Sequence, residues 1–469
     1  MTATSTDSVC LNTQFQDLKK EQNGARLTLV ERVEILTSLK QRLLAAQQAC
    51  VTALSQDYGF RSEFDSLICD VLPAVNHLDY TVKQLPRWVK GQKRSAGLLL
   101  SPSKLKVHYQ PLGVVGVIVP WNFPIVLCLA PIVTALAAGN RVMVKLSEHT
   151  PATNQVIKTL FEPLSQQVVI VEGEGEVAAA FSHLPFDHLL FTGSTTIGRL
   201  VAQEAAKNLT PVTLELGGKS PVIIAPDADM TKAVDAILLG KSINAGQICV
   251  APDYVLLPQA MQDDFIALYL QRFKSAFYSK KKGWQVSHII NSAQHQRLQG
   301  YLDDAQEKGA QIHTVTEAES VQEGTKMLVH LLTDVSDDMQ VMKEEIFGPI
   351  LPLKTYQTID EAMEYIASKP HPLALYLMSN DKQVQQQVLA ETQSGGIVFN
   401  DTLLHVAADD APFGGIGESG MGAYHGFEGF KTFSHSRTLL HTPGWLPRAH
   451  WMTKRRHTMM KMLKRLFLR

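Results

Sequence analysis

At 469 residues the chain is too long for a single hydrophobic core, and its length predicts two or three domains. With 45% hydrophobic and 19% charged residues it is an ordinary globular sequence, not a disordered one. A formal net charge of −1 leaves no electrostatic footprint for nucleic acid. Five scattered cysteines (Cys10, Cys50, Cys69, Cys128, Cys249) form no C-x-x-C pair, which argues against a metal site or disulfide frame and fits a reducing cytoplasm.

The first residues are polar (Asp7, Gln14, Asp17, Lys19) and lack the apolar core of a signal peptide. Residues 1–90 read as helices, with a capping box at Thr28-Leu29-Val30-Glu31 followed by Val33, Leu36, Leu39, Leu43 and Leu44 at helical spacing. Residues 104–110 alternate polar and apolar and predict an exposed strand. From Val107 to Asn140 there is no Asp, Glu, Lys or Arg, but Pro111, Pro120, Pro124 and Pro131 interrupt the run. It therefore predicts a buried strand, a turn and a buried helix, not a membrane span. Strands and helices then alternate: 114–119, 125–138, 141–145, 150–164, 168–171, 176–183, 188–191 and 197–207. The style resumes with 221–224, 231–243, 253–257, 262–277, 360–368 and 396–399. Such alternation predicts α/β architecture, a parallel sheet with helices on both faces.

Several short segments carry chemistry. Gly193-Ser194-Thr195-Thr196-Ile197-Gly198 lies between an apolar strand and a helix, where backbone amides at the positive helix end suit a pyrophosphate; an ordinary tight turn is the alternative. Val142–Lys145 ends near Glu148, an acid that could accept hydrogen bonds from ribose hydroxyls and repel a 2′-phosphate, or simply be solvated. Pro120-Trp121-Asn122-Phe123-Pro124 is a rigid turn that fixes a side-chain amide, as an oxyanion donor requires; Asn is also a common turn former. Cys249, after Asn244-Ala245-Gly246-Gln247-Ile248, is either an exposed loop nucleophile or an inert buried thiol, the reading that fits Cys128. Glu215, in Leu214-Glu215-Leu216-Gly217-Gly218-Lys219, would gain a raised pKa and general-base character if buried, though strand alternation could face it to solvent. Glu344-Glu345-Ile346-Phe347-Gly348-Pro349 offers an acid and an aromatic at a turn, though Glu345 could equally be an exposed acid beside Lys343. Pro412–Gly420 has too many glycines to hold a helix.

Together these segments resemble the NAD(P)-dependent aldehyde dehydrogenase superfamily over nearly the whole chain. The stretches Ala251-Pro252-Asp253-Tyr254 and Ser419-Gly420-Met421-Gly422-Ala423-Tyr424-His425-Gly426 resemble its class 3 branch. Asp57-Tyr58-Gly59-Phe60-Arg61-Ser62 is similar to bacterial coniferyl aldehyde dehydrogenases. The resemblance implies Cys249 as nucleophile, Glu215 as the base for the hydrolytic water, and Asn122 with the Cys249 amide as the oxyanion hole. It implies Gly193 and Ser194 at the pyrophosphate, Lys145 and Glu148 at the adenosine ribose, and Glu345 and Phe347 at the nicotinamide end. It implies NAD as cofactor, with NADP an alternative, no metal, and an aldehyde substrate, either aromatic (hydroxycinnamic) or medium- to long-chain aliphatic. The alternatives are an acylating enzyme that uses coenzyme A or phosphate, a cofactor-independent thiol acyltransferase, and an inactive scaffold.

The implied fold is a Rossmann-like cofactor domain (1–103 and 111–225), an α/β catalytic domain (226–400), and a small β oligomerisation element (104–110 and 401–440) that joins a homodimer. Residues 441–469 form a basic tail. Residues 454–469 hold seven basic side chains and no acids, which leaves 37 basic against 45 acidic residues elsewhere. On a helical wheel Met459, Met460, Met462, Leu463, Leu466 and Phe467 share one face, and Lys461, Lys464, Arg465 and Arg469 the other, with Leu468 the exception. This pattern suits a cytoplasmic enzyme with peripheral contact to the inner membrane surface; a tail packed on its own acidic body or on a dimer partner, or a frayed one, is the alternative.

Overall fold

The structure, a computed structural model, describes residues 5–24, 26–315 and 324–468; Arg469 lies outside the described residues. The described residues up to Trp88 are mostly helical, as expected. Helix Leu29–Ala45 carries the capping box, with the Thr28 hydroxyl accepting from the Glu31 amide and the Glu31 carboxylate accepting from the Thr28 amide at 2.7 Å. Its buried Leu36, Leu39 and Leu43 share a core with helices Leu72–Trp88 and Val126–Ala138.

In chain order the strands are β1 (Gln92–Arg94), β2 (Lys104–Pro111), β3 (Val114–Ile118), β4 (Arg141–Lys145), β5 (Val168–Val171), β6 (His188–Thr192), β7 (Val212–Glu215), β8 (Pro221–Ile224) and β9 (Tyr254–Pro258). There follow β10 (Tyr278–Ser279), β11 (Gly283–Trp284), β12 (Gln311–Thr314), β13 (His330–Thr333), β14 (Ile350–Tyr356), β15 (Ala374–Met378), β16 (Gly396–Phe399), β17 (Gly420–Met421) and β18 (Ser434–His441). A six-stranded sheet has the order β17-β7-β6-β3-β4-β5, parallel except for β17. One face packs on the helices named above. The other packs on Ser5–Gly24, Gly175–Ser182 and Thr195–Ala206, through Leu11, Phe15, Phe181 and Val201. The charge-free 107–140 run becomes β3, the Asn122 turn and helix Val126–Ala138, nearly all buried. Among the described residues no helix is long and apolar enough to cross a membrane.

The second sheet has seven strands in the order β12-β13-β14-β9-β8-β15-β16. It contains β8, so the chain changes sheets between Glu215 and Pro221. The expected boundary at 225 falls one strand late, because sequence identifies an apolar strand but not the sheet that pairs with it. The 104–110 strand is present as β2, lying between β1 and the C-terminal β18. Strand β18 is an edge, exposed after Ser434, with Leu439 and Leu440 in solvent. The Pro412–Gly420 stretch is loop, closing in a short turn at Gly417–Ser419. Its Gly420 then pairs with Glu215 in β17, a strand of two residues that no periodicity could signal. Helices Arg448–Lys454 and Arg456–Phe467 follow and bury no residue.

Candidate active site

Glu215 is the last residue of β7, at the passage from one sheet to the other. Its neighbour Leu214 is buried in the first core, and β17 covers the strand edge, so Glu215 is only 4% exposed. The solvent-facing alternative is thereby excluded. Neither carboxylate oxygen has a hydrogen-bond partner, and burial holds the carboxyl well above its ordinary range. An acid with two unused acceptors beside a cavity is suited to take a proton from water.

The loop before Cys249 is strained. Asn244, Ala245 and Gly246 are left-handed, with φ of 49°, 52° and 71°. Non-glycine residues pay about 1–2 kcal/mol each for this region. The loop is held by Gln247, whose Nε2 donates to the Asn244 carbonyl (2.9 Å) and the His288 carbonyl (3.0 Å) and whose Oε1 accepts from the Ile290 amide at 3.0 Å. A Cβ at Gly246 would come within 2.6 Å of the Gly348 carbonyl, so this loop and the Glu345–Gly348 turn touch backbone to backbone. Cys249 is half-buried, between the exposed and the buried alternatives. Burial, then the Glu345 and Glu215 carboxylates, push its thiol up to about 12. Attack therefore requires a base or a local positive charge. Cys128 is fully buried in its helix, as expected of a structural thiol.

Asn122 is buried, and its Nδ2 donates to the Gln247 carbonyl at 3.2 Å, which aims the amide along the Cys249 loop. Its own carbonyl accepts from the Tyr58 hydroxyl (3.1 Å), Arg61 Nη1 (3.2 Å) and Asn244 Nδ2 (3.2 Å).

The Glu345–Phe347 turn closes the cleft from the second sheet. Phe347 is left-handed at φ 50°, and its ring meets Trp121 edge-on at 5.3 Å. Glu345 is not the exposed acid beside Lys343 that sequence allowed. Burial and the Asp253 carboxylate push its carboxyl up to about 8. A Cβ at Gly217 would lie 2.1 Å from its Oε2, so any side chain there would displace the Glu345 carboxylate. Glu345 Oε1 is buried without a partner and can accept from a ligand hydroxyl. Arg297 holds the turn, donating to the Ile346 carbonyl at 2.8 Å.

A cavity of about 1010 Å³ joins these groups; Asn122, Gly193, Ser194, Glu215, Cys249, Glu345 and Phe347 all line it. Ser194 caps helix Thr195–Ala206, accepting from the Ile197 amide, so the helix start and its free amides open on the cavity. The cavity, this helix start and the orphaned Glu345 oxygen fit a dinucleotide. Lys145 and Glu148 do not line the cavity, although the adjoining His149 does. Lys145 Nζ donates to Glu148 Oε2 at 2.7 Å at the end of β4, so the acid's charge is already partly answered. Among the described residues no cluster of His, Cys, Asp and Glu could hold a metal. Sequence reading did not find Gln247 as the hub of the loop or Arg297 as the brace of the turn. The only signal for Gln247 was its place two residues before the cysteine.

The sequence profile described as "Aldehyde dehydrogenase family" matches residues 12–439. The chain is 48% identical over 437 residues to a probable coniferyl aldehyde dehydrogenase of Pseudomonas aeruginosa, covering 92% of this chain and 91% of that protein. It is 37% identical over 422 residues to a dimeric NADP-preferring aldehyde dehydrogenase of Rattus norvegicus, covering 89% of this chain and 91% of that protein. The structure of a substrate-bound state of Staphylococcus aureus AldH superposes with a TM-score of 0.89 at 34% identity, covering 96% of this chain and 99% of that one.

Proposed function

From the premise that the chain belongs to the aldehyde dehydrogenase family and oxidises aldehydes with NAD(P), we propose that Cys249, Glu215 and Asn122 carry the reaction and that its preferred substrate is a hydroxycinnamic aldehyde such as coniferaldehyde. The observation that carries the site is Glu215, buried in the cavity that holds Cys249, with both oxygens unpartnered.

In the proposed sequence Glu215 takes the thiol proton, directly or through a water, and Sγ of Cys249 bonds to the aldehyde carbon. The carbonyl oxygen becomes an oxyanion between the Asn122 amide and the Cys249 backbone N–H. A nicotinamide held by Glu345 and Phe347 would supply the acceptor for the hydride on this carbon, and its positive ring would favour the thiolate. The acyl group remains on Cys249 as a thioester. After giving up the thiol proton to solvent, Glu215 draws a proton from water, the water oxygen bonds to the acyl carbon, and the S–C bond breaks, the sulfur leaving as thiolate and the carboxylic acid being released. Gly193 and Ser194 would hold the pyrophosphate, Lys145 and Glu148 the adenosine ribose, and Glu345 and Phe347 the nicotinamide riboside. The division into a cofactor unit and a catalytic unit follows the two sheets, with this cleft between them.

Two features support assembly readings. The exposed edge of β18 suits pairing with a second copy in a homodimer. The basic amphipathic tail suits peripheral contact with an anionic membrane face.

The test offers purified protein NAD or NADP with coniferaldehyde, hexanal and decanal, followed by the absorbance of reduced nicotinamide and by product analysis. The expected product is the free acid, with kcat/KM for coniferaldehyde at least about tenfold above hexanal. Equal values overturn the substrate assignment. Formation of an acyl-coenzyme A or acyl phosphate in place of the free acid, dependent on added coenzyme A or phosphate, overturns the role of Glu215.

A further inference from the structure

Residues 57–70 contact both the Asn122 turn and the loop before Cys249. Asp57 accepts from the Ala152 and Thr153 amides, both at 2.9 Å, and so caps the helix that follows β4. Tyr58 and Arg61 donate to the Asn122 carbonyl, and Tyr58 also donates to the Trp121 carbonyl at 3.2 Å. The Arg61 guanidinium lies between the Tyr58 and Phe123 rings, 5.1 Å from each, and pairs with Asp70 at 2.8 Å, both side chains being fully buried. Asp70 in turn accepts from the Ile125 and Val126 amides just past the Asn122 turn. Asp65 reaches the other partner: its Oδ2 accepts from the left-handed Asn244 amide at 3.0 Å and from the Ser287 hydroxyl at 2.5 Å.

One rigid segment thus grips the turn that bears the oxyanion amide and the strained loop that bears the nucleophile, two elements from different sheets. We propose that this segment is a clamp that sets the distance between the Asn122 amide and Cys249, with Asp65 as its positioning residue. The inference rests on the catalytic assignment above. Asp65 touches no reacting atom. It compensates the left-handed conformation of Asn244 by satisfying an amide that a relaxed loop would turn elsewhere. Tyr58 and Arg61 register the opposite side of the same gap. A shift of about 1 Å in such a gap can cost about a hundredfold in rate.

The experiment is single-turnover hydride transfer, with enzyme in excess over coniferaldehyde, in Asp65→Ala, Asp65→Asn and Tyr58→Phe, each also combined with Asn122→Ala. Cofactor Kd and melting temperature are measured on the same samples. Asp65→Ala should slow hydride appearance roughly ten- to a hundredfold while cofactor Kd stays within about twofold. Asp65→Asn, which keeps an acceptor oxygen for the Asn244 amide, should recover most of the rate. In the Asn122→Ala background the loss should shrink to about threefold or less, because the amide being positioned is gone. An unchanged single-turnover rate, or losses that multiply in the double variant, overturns the clamp. If Asp65→Ala does not fold, Tyr58→Phe decides alone: it removes one hydroxyl, and a rate equal to wild type refutes the proposal. Absence of hydride transfer in the wild-type protein would instead sink the catalytic assignment and is distinguishable on that ground.

Discussion

The cleft around Cys249 and the C-terminal helix Arg456–Phe467 hold ionisable groups in opposite ways. In the cleft Glu215 and Glu345 are desolvated, carry orphaned oxygens and have raised pKa values. In the tail helix the bases stand in water and none is buried. Desolvation makes each cleft atom count separately, because a proton gained or lost there is not screened. Tail charges act only as a sum, and salt screens them over about 10 Å at 0.1 M. Single substitutions should therefore separate the two regions by orders of magnitude.

The largest effect is expected for Cys249→Ala. Without a sulfur no thioester forms, so turnover should fall below detection while cofactor binding persists and the melting temperature moves by a few degrees at most. Measurable turnover near the wild-type value would remove the nucleophile.

Next comes Glu215→Gln, which keeps the shape and loses the base. Deacylation should slow by about 10²–10⁴-fold, and rapid mixing should reveal reduced cofactor formed ahead of a slow steady state. The same group carries a stability signature. Its folded pKa lies well above the ordinary 4.5, so between those values the folded chain keeps a proton that the unfolded chain has lost. Stability then falls as pH rises through that window. The melting temperature of Glu215→Gln relative to wild type should accordingly climb as pH rises above the ordinary carboxylate range. A flat difference would mean that Glu215 titrates normally.

Glu148→Ser tests the middle ground, since the side chain is 37% exposed and paired with Lys145. The change removes the charge that would repel a 2′-phosphate and frees an ammonium to receive it. The ratio of kcat/KM for NAD over NADP should fall by about tenfold, near 1.4 kcal/mol, the scale of one partly screened charge. An unchanged ratio would place the ribose elsewhere.

The same contrast governs what the sequence revealed. Parallel strands buried on both faces are continuous apolar runs, so β4 is found at Arg141–Lys145 as expected; the half-buried edge strand β16, also apolar, is found at Gly396–Phe399. Helix Gln262–Phe277 follows its periodicity end to end. Strands β12 to β15 escaped, because short mixed or apolar runs do not distinguish strand from helix until a partner pairs with them. The site residues were legible because chemistry restricts them to few side-chain types in glycine-rich settings. Their support was not: Asp65 and Asn244 are 179 positions apart, and nothing local in either segment announces the other. Lys145 and Glu148 illustrate the intermediate case, correct as a strand end but paired with each other beside the cavity rather than lining it.

The smallest catalytic effect is expected at the tail. Helix Arg456–Phe467 rests on its own neighbour through the half-buried Met459 and Leu463, while Met460, Met462, Leu466 and Phe467 remain exposed. Its partner helix Arg448–Lys454 is tied to the body by Arg448, which donates to the Ser101 carbonyl and the Ser103 hydroxyl. None of these residues lines the cavity, so deletion of 450–469 should leave kcat within about twofold, in contrast to any change in the cleft. What deletion should remove is membrane contact. A basic residue near an anionic surface contributes about 1 kcal/mol, and the exposed apolar face adds to the sum, so the whole helix binds where no single residue would. Sedimentation with anionic vesicles should pull down the full chain, less so at high salt, and should leave the truncated chain in the supernatant; neutral vesicles should take neither. If both chains bind anionic vesicles equally, the contact lies elsewhere on the molecule. If neither binds, the exposed face of the tail serves a protein partner or a second copy, and the charge contrast between cleft and tail has no membrane role.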